Sequence, residues 1–135
     1  MKQKIIITIA FAISLAPMLL SQYGCMRGIQ EISGLINLTN PIGLLALVLF
    51  LIGVWVPFEN EKTGWIMGLL GTIGIVISEI YNYFTWHVLT ITGEISLKHS
   101  IMFAFPEFYV GLTVSLIMVV VYLVATQNSY KYKNR

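Results

Sequence analysis

GWIMGLLGTIGIVISEIYNYFTWH, residues 64–87, decides how this chain is read, because it is apolar enough to cross a bilayer yet carries Glu79 well inside the run. A transmembrane helix needs about 20 mainly apolar residues, and an ionisable group in hydrocarbon is costly unless it faces protein or a water-filled cavity. With roughly 3.6 residues per turn, Gly64, Gly68, Gly71, Ile75, Ser78, Asn82 and Trp86 fall on one side of a helix, with Glu79 at the edge of that stripe and Gly74 further round. The stripe is small at one end and polar at the other. Small residues let a neighbouring helix come close, and polar ones in lipid must find partners inside the protein. The helix therefore faces other helices, with Gly64, Gly68, Gly71, Ser78 and Asn82 as packing positions. The glycines read as a seam within the chain in preference to a dimer face, and a homo-oligomer stays open.

The composition agrees. Hydrophobic residues make up 57% of the 135 and charged residues 10%, against about a quarter charged in soluble domains, and the mean hydropathy is +0.82. The lipid bilayer is the solvent this sequence expects. It contains no Asp, and its six Glu are scattered, so no local carboxylate pair or dinuclear metal site is written into it. The single Cys25 excludes an intramolecular disulfide and a Cys-pair redox centre. A net charge of +2, carried largely by the chain ends, argues against nucleic acid. No cofactor motif is present.

Working outward, Asn40 and Pro41 signal a helix start, since Asn caps free amides and Pro suits the first turn. The uncharged run that follows predicts a span over residues 41–57, with Trp55 at the boundary and Pro57 ending it. Residues 58–63 make a short polar loop, and the quoted stretch makes a span over 64–86. Earlier in the chain, Lys2 and Lys4 precede a charge-free run that predicts a span over 5–22, bent near its end by Pro17. A basic start and apolar run also fit a signal peptide, but no small-x-small cleavage site follows, so a retained helix is favoured. Beyond the quoted stretch, Pro106 and Glu107 open a fourth span over 105–125, and a basic tail occupies 126–135.

Two segments remain between the spans. In residues 23–40, Ile29, Ile32, Leu35 and Ile36 recur at helical spacing, with Arg27 and Glu31 four apart as a solvated ion pair, which predicts a short surface helix. Residues 87–104 show period-two alternation, with Leu89, Ile91, Ile95 and Leu97 against Thr90, Thr92, Glu94, Ser96 and Lys98. A short β-hairpin turning at Thr92 to Glu94 fits, in a register that would set Leu89 against Leu97 and His87 against His99. The fold class expected is an all-α integral membrane protein, a bundle of four transmembrane helices with a small extracytoplasmic cap.

Charge sets the expected orientation. Lys2, Lys4, Lys62, Lys131, Lys133 and Arg135 fall on the side of the termini, against Arg27 and Lys98 on the other. The bias puts both termini in the cytoplasm of a multi-pass cell-membrane protein.

Glu79 carries the sharpest functional signal. It reads either as a carboxylate that responds to protons or cations in a small oligomeric transporter or channel, or as a packing group hydrogen-bonded across helices to residues such as Ser14, Tyr81 or Asn82. His87, His99 and Glu94 are candidates for an outer pH-sensing or metal site, but two imidazoles fall short of the three or four ligands zinc usually takes, so no metal is assigned. Cys25 has no nearby His, and neither a Ser motif nor an acid pair is visible, so no catalytic residue and no enzyme activity are expected. Four spans with an intramembrane Glu invite comparison with the small multidrug-resistance transporters. Their glutamate lies in the first helix, where residues 5–20 here have none, so no role is carried over. The leading expectation is an accessory, regulatory or immunity-type subunit that binds another membrane protein or a peptide.

Overall fold

The computed structural model describes residues 1–28 and 30–133. Ile29 of the expected surface helix and Arg135 of the basic tail lie outside the described residues, as do the side chains of Leu89, Lys131 and Lys133.

Four apolar helices form a bundle. Helix α1 (Lys2–Leu15) passes into a 3₁₀ turn at Ala16–Leu19, with Pro17 in its first turn. Proline fixes φ and lacks an N–H, so the tighter turn accommodates it where a straight α-helix would not. Helix α2 (Ile36–Thr39) is one turn long and leads directly into α3 (Pro41–Trp55), which starts where Asn40 Oδ1 accepts from Gly43 N at 2.9 Å. Helix α4 (Glu61–Thr85) is capped by Asn60. A short α5 (Leu97–Phe103) precedes α6 (Pro106–Lys133), which Pro106 opens.

Among the described residues three stretches are long and apolar enough, by length and composition, to cross a membrane: Lys2–Leu19, Glu61–Thr85 and Pro106–Gln127. Helix α3 is equally apolar but has 15 residues, a length of about 22 Å at 1.5 Å per residue. By length and composition the chain suits a multi-pass membrane protein.

The helices meet along regular stripes. Buried positions on α1 are Ile7, Phe11, Ser14 and, in the 3₁₀ turn, Met18; on α6 they are Phe108, Gly111, Ser115, Met118 and Tyr122. Steps of three and four keep one face of a helix in a continuous seam. On α4 the buried face includes Gly64, Gly68, Gly71, Ile75, Ser78, Glu79 and Asn82. Its glycine end packs on α3 at backbone distance, where a Cβ on Gly53 would overlap the Gly68 amide and one on Gly71 would overlap the backbone of Phe50. One apolar cluster fills the bundle, centred on Phe11 stacked on Phe50 with centroids 3.7 Å apart and joined by Met18, Ile75, Met118 and Tyr122.

The first turn of α1 and the later turns of α6 lie together at one end of the bundle. There Gln3 Nε2 donates to Ala125 O at 2.6 Å, Trp65 Nε1 to Thr126 Oγ1 at 2.7 Å and Trp55 Nε1 to Thr8 Oγ1 at 3.1 Å.

The opposite end carries the cap, and here two expectations are corrected. Residues 23–40 hold a β-hairpin in place of a surface helix: β1 (Ser21–Met26) pairs antiparallel with β2 (Gln30–Ser33), and only Ile36–Thr39 is helical. Gly28 sits in the connection at φ +82°, a conformation that costs glycine little and other residues more. Strand β1 also pairs on its far side with the segment before α6, through a Tyr23–Ala104 bridge and a Phe105 N to Gln22 O bond of 2.8 Å. Conversely, residues 87–104 form no hairpin. Val88–Thr92 continues α4 as a π-helical turn, Gly93 closes it in the left-handed conformation, and α5 follows. The small sheet qualifies the all-α class. The expected Arg27–Glu31 pair does not form either, because β1 carries Arg27 toward the start of α6, where its guanidinium meets Glu107 at 2.6 Å.

Candidate functional site

Gln22, Tyr23, Asn37, Asn40, Ser78 and Asn82 form one hydrogen-bonded polar layer at the cap end of the bundle. Asn37 is its hub: fully buried, it donates from Nδ2 to Gln22 Oε1 at 2.8 Å and accepts at Oδ1 from Tyr23 OH at 3.2 Å and Asn82 Nδ2 at 3.0 Å. Its backbone carbonyl accepts from Ser78 Oγ and, at 3.2 Å, from Asn40 Nδ2. Asn40 Nδ2 also lies 2.6 Å from Ser78 Oγ, and Gln22 Nε2 donates to Pro17 O at 3.1 Å. One asparagine thus links β1, α2 and α4. Burying amides is expensive unless they are hydrogen-bonded, so the network specifies how the cap seats on the bundle. Burial, the largest cause, pushes the phenol of Tyr23 above its usual range, outweighing the Asn37 hydrogen bond, so it stays a donor.

Glu79 lies beside this layer and is completely shielded from solvent. Its location is marked by Gly111, where a Cβ would lie 3.5 Å from Glu79 Oε1, 2.8 Å from Gln22 Nε2 and 3.5 Å from Pro17 Cβ. Ser115, one turn further along α6, faces the same carboxyl closely enough to interact with it, though the pair falls short of full hydrogen-bond geometry. Of the partners expected for Glu79, Ser14 donates to its own helix at Phe11 O, Asn82 is committed to Asn37 and Ile36 O, and Tyr81 is half exposed. None of the three serves it.

Two surface clefts are bordered by described residues, and Glu79 lines neither. One, of about 140 Å³, opens at the end of the termini between Gln3, Ile7, Gly53, Trp65, Tyr122 and Thr126. The other is an open apolar groove along α6, bordered by Leu116, Ile117, Val120 and Val124.

The two histidines do come together, by a route the hairpin register did not describe. His87 follows the end of α4 and α5 folds back over it, which sets the rings of His87 and His99 6.1 Å apart. His87 is fully buried, with Nδ1 2.8 Å from Thr92 Oγ1 and Nε2 3.2 Å from Ser100 Oγ. Both ring nitrogens therefore face hydroxyls. Burial, and secondarily the nearby His99, hold His87 below the usual histidine range. Glu94 stands 4.0 Å from His99 Nδ1 and is exposed. Among the described residues no group of three or more His, Cys, Asp or Glu could hold a metal ion.

Gln22, Asn37, Asn40 and Ser115 were not singled out by sequence reasoning. Asn40 was legible only as a helix cap. Ser115 was signalled by its place in the Phe108, Gly111, Met118, Tyr122 series; Gln22 falls in β1 where a span was expected, and Asn37, though on a helical turn as expected, is buried by the hairpin that local spacing did not announce.

Fold and site together define a helical bundle, with three helical stretches among the described residues long and apolar enough to cross a membrane, and a buried polar layer beneath a small cap. Comparison with known protein families, with curated proteins and with solved structures finds no match.

Proposed function

We propose that the chain is a four-span membrane protein, termini in the cytoplasm, that acts without catalysis as an accessory, regulatory or immunity-type subunit binding another membrane protein or a peptide. The observation that carries this reading is the closure around Glu79. A coupling carboxylate must be reached by the ion it couples, from one side and then the other, whereas Glu79 is fully buried between α4, α6 and Gln22 and lines neither of the two clefts described above. Its seat, against Gly111 and Ser115, is that of a group fixing how two helices pack. Helix α3 serves as the fourth span, locked to α4 by close backbone approach despite its short length.

The orientation follows the charges. Lys2, Lys4 and Lys62 sit at the end of the termini and Arg27 and Lys98 at the cap, so the positive-inside bias places the cap outside.

Purified protein in liposomes tests the reading by pH-driven flux of protons and small cations, wild type beside Glu79→Gln. Equal, background flux from both supports a subunit that does not transport. Flux in the wild type that disappears in a folded Glu79→Gln establishes the transporter reading in its place.

A further inference from the structure

Helix α5 is inverted with respect to a water-facing cap. Its inward side is polar, with Ser100 fully buried and hydrogen-bonded to His87 Nε2 and to Ser96 O, and His99 set beside His87. Its outward side is apolar: Leu97 is 59% exposed, Ile101 56% and Met102 57%, and Ile91 and Ile95 just before the helix are exposed as well. Water on that side would strand five large apolar side chains, and contiguous exposed patches of this kind mark contact with protein or lipid.

The position of α5 indicates lipid. The segment is tied at both ends to helices that cross the bilayer, following the end of α4 and leading through Phe103 and Phe105 into Pro106 of α6. It sits within a collar of aromatic rings, with Phe103 6.0 Å from Trp86 and Tyr83 packed on both Phe108 and Tyr109. Trp and Tyr gather at the headgroup level, so the collar marks the outer boundary of the membrane. Lys98 is an exposed cation set among the apolar residues, and its long stem allows the ammonium to rise to lipid phosphates. Glu94, 70% exposed at the side chain, marks the wet edge of the segment.

We infer that the 91–102 segment is a membrane-surface anchor: α5 lies in the outer interface with Leu97, Ile101 and Met102 in the acyl boundary, Lys98 at the headgroups and its polar face clamped on His87. Its partner is the outer leaflet of the bilayer. The inference rests on the membrane-spanning reading above, and the test separates the two.

Single-cysteine variants in a Cys25→Ser background, Met102→Cys, Glu94→Cys and Val120→Cys, are labelled with the fluorophore NBD and reconstituted in phosphatidylcholine–phosphatidylglycerol vesicles with nitroxide lipids labelled at shallow or deep chain positions. All three sites are exposed, so labelling leaves the core intact. The anchor requires blue-shifted emission at Met102 that shallow nitroxides quench more than deep ones, with Glu94 emitting as in water. Emission at Met102 as wet as at Glu94, with Val120 still quenched by deep nitroxides, overturns the anchor and leaves that face to a protein partner. Loss of quenching at Val120 overturns the spanning reading as well.

Discussion

Asn37 Oδ1 lies 3.0 Å from Asn82 Nδ2, and this hydrogen bond joins the cap to the outer end of α4 in the middle of a network that also holds Gln22 and Tyr23. Replacing Asn37 by Ala strands the Gln22 carbonyl and the Tyr23 hydroxyl and strips Asn82 of one of its two acceptors. At about 1–3 kcal/mol for each buried group left unsatisfied, Asn37→Ala should cost roughly 3 kcal/mol or more. Ser115→Ala removes a hydroxyl whose contact with Glu79 falls short of full hydrogen-bond geometry and should cost about 1 kcal/mol or less. Unfolding of both variants in mixed micelles by a denaturing detergent, followed by far-ultraviolet circular dichroism, compares them directly.

The seam between α3 and α4 gives a second test. A methyl at Gly53 meets the Gly68 backbone, which cannot turn aside as a side chain can. Gly53→Ala should therefore destabilise by about 1–3 kcal/mol, as overpacking does. Gly28 offers a control, since a Cβ there meets nothing within 4 Å and the cost arises from its φ of +82° alone. Gly28→Ala should lose about 1 kcal/mol. The same micelle unfolding assay should show Gly53→Ala as the more damaging change.

Acid should loosen the cap. His87 is held below the usual histidine range by burial and by His99, so the folded protein binds the proton less readily than the unfolded chain does. Its contribution to stability is complete above the unfolded value of about 6.5, declines as pH falls below it, and levels off beneath the folded value. Titratable neighbours that face it are His99 and, through His99, Glu94. The thermal midpoint should fall between pH 7.5 and pH 5 for the wild type and fall less for His87→Gln, which has no imidazole to protonate.

The Arg27–Glu107 pair should matter little despite its 2.6 Å distance. Arg27 is 54% exposed and Glu107 29%, so water and salt screen the attraction. Arg27→Ala should change stability by less than about 1 kcal/mol, with part of any loss due to the guanidinium's packing over the Phe105 ring. An unfolding free energy that differs by several kcal/mol would contradict this.

The bundle was legible in the sequence because its signals are local. Asn40 with Pro41, Pro57, and Pro106 with Glu107 are caps and breakers whose effect depends on the adjoining backbone, and the glycine-to-asparagine stripe of α4 follows from helical periodicity alone. The cap was misread because its periodicities compete. Ile29, Ile32 and Ile36 fit helical spacing, yet Gly28 turns the chain and the far edge of β1 finds a partner at Ala104, a contact no local pattern announces. Alternating residues around Thr92 fit a strand, yet they extend α4, and the glycine expected at a hairpin turn, Gly93, ends a helical turn in the left-handed conformation. Glycine marked the reversal correctly in both readings, and so His87 still met His99. The partners of Asn37 could not be inferred, because they are set by which element packs on which.

Closure of the α4–α6 seam around Glu79 is the central claim, and thiol accessibility measures it most directly. Ser115→Cys in a Cys25→Ser background places a near-isosteric probe beside Glu79, 3% exposed in the native side chain. Treated in sealed vesicles with a membrane-impermeant methanethiosulfonate, added outside or trapped inside, the folded protein should remain unmodified and react only after unfolding. Modification of the folded protein from either side would mean that water reaches Glu79, and the carboxylate would then belong to a conduit.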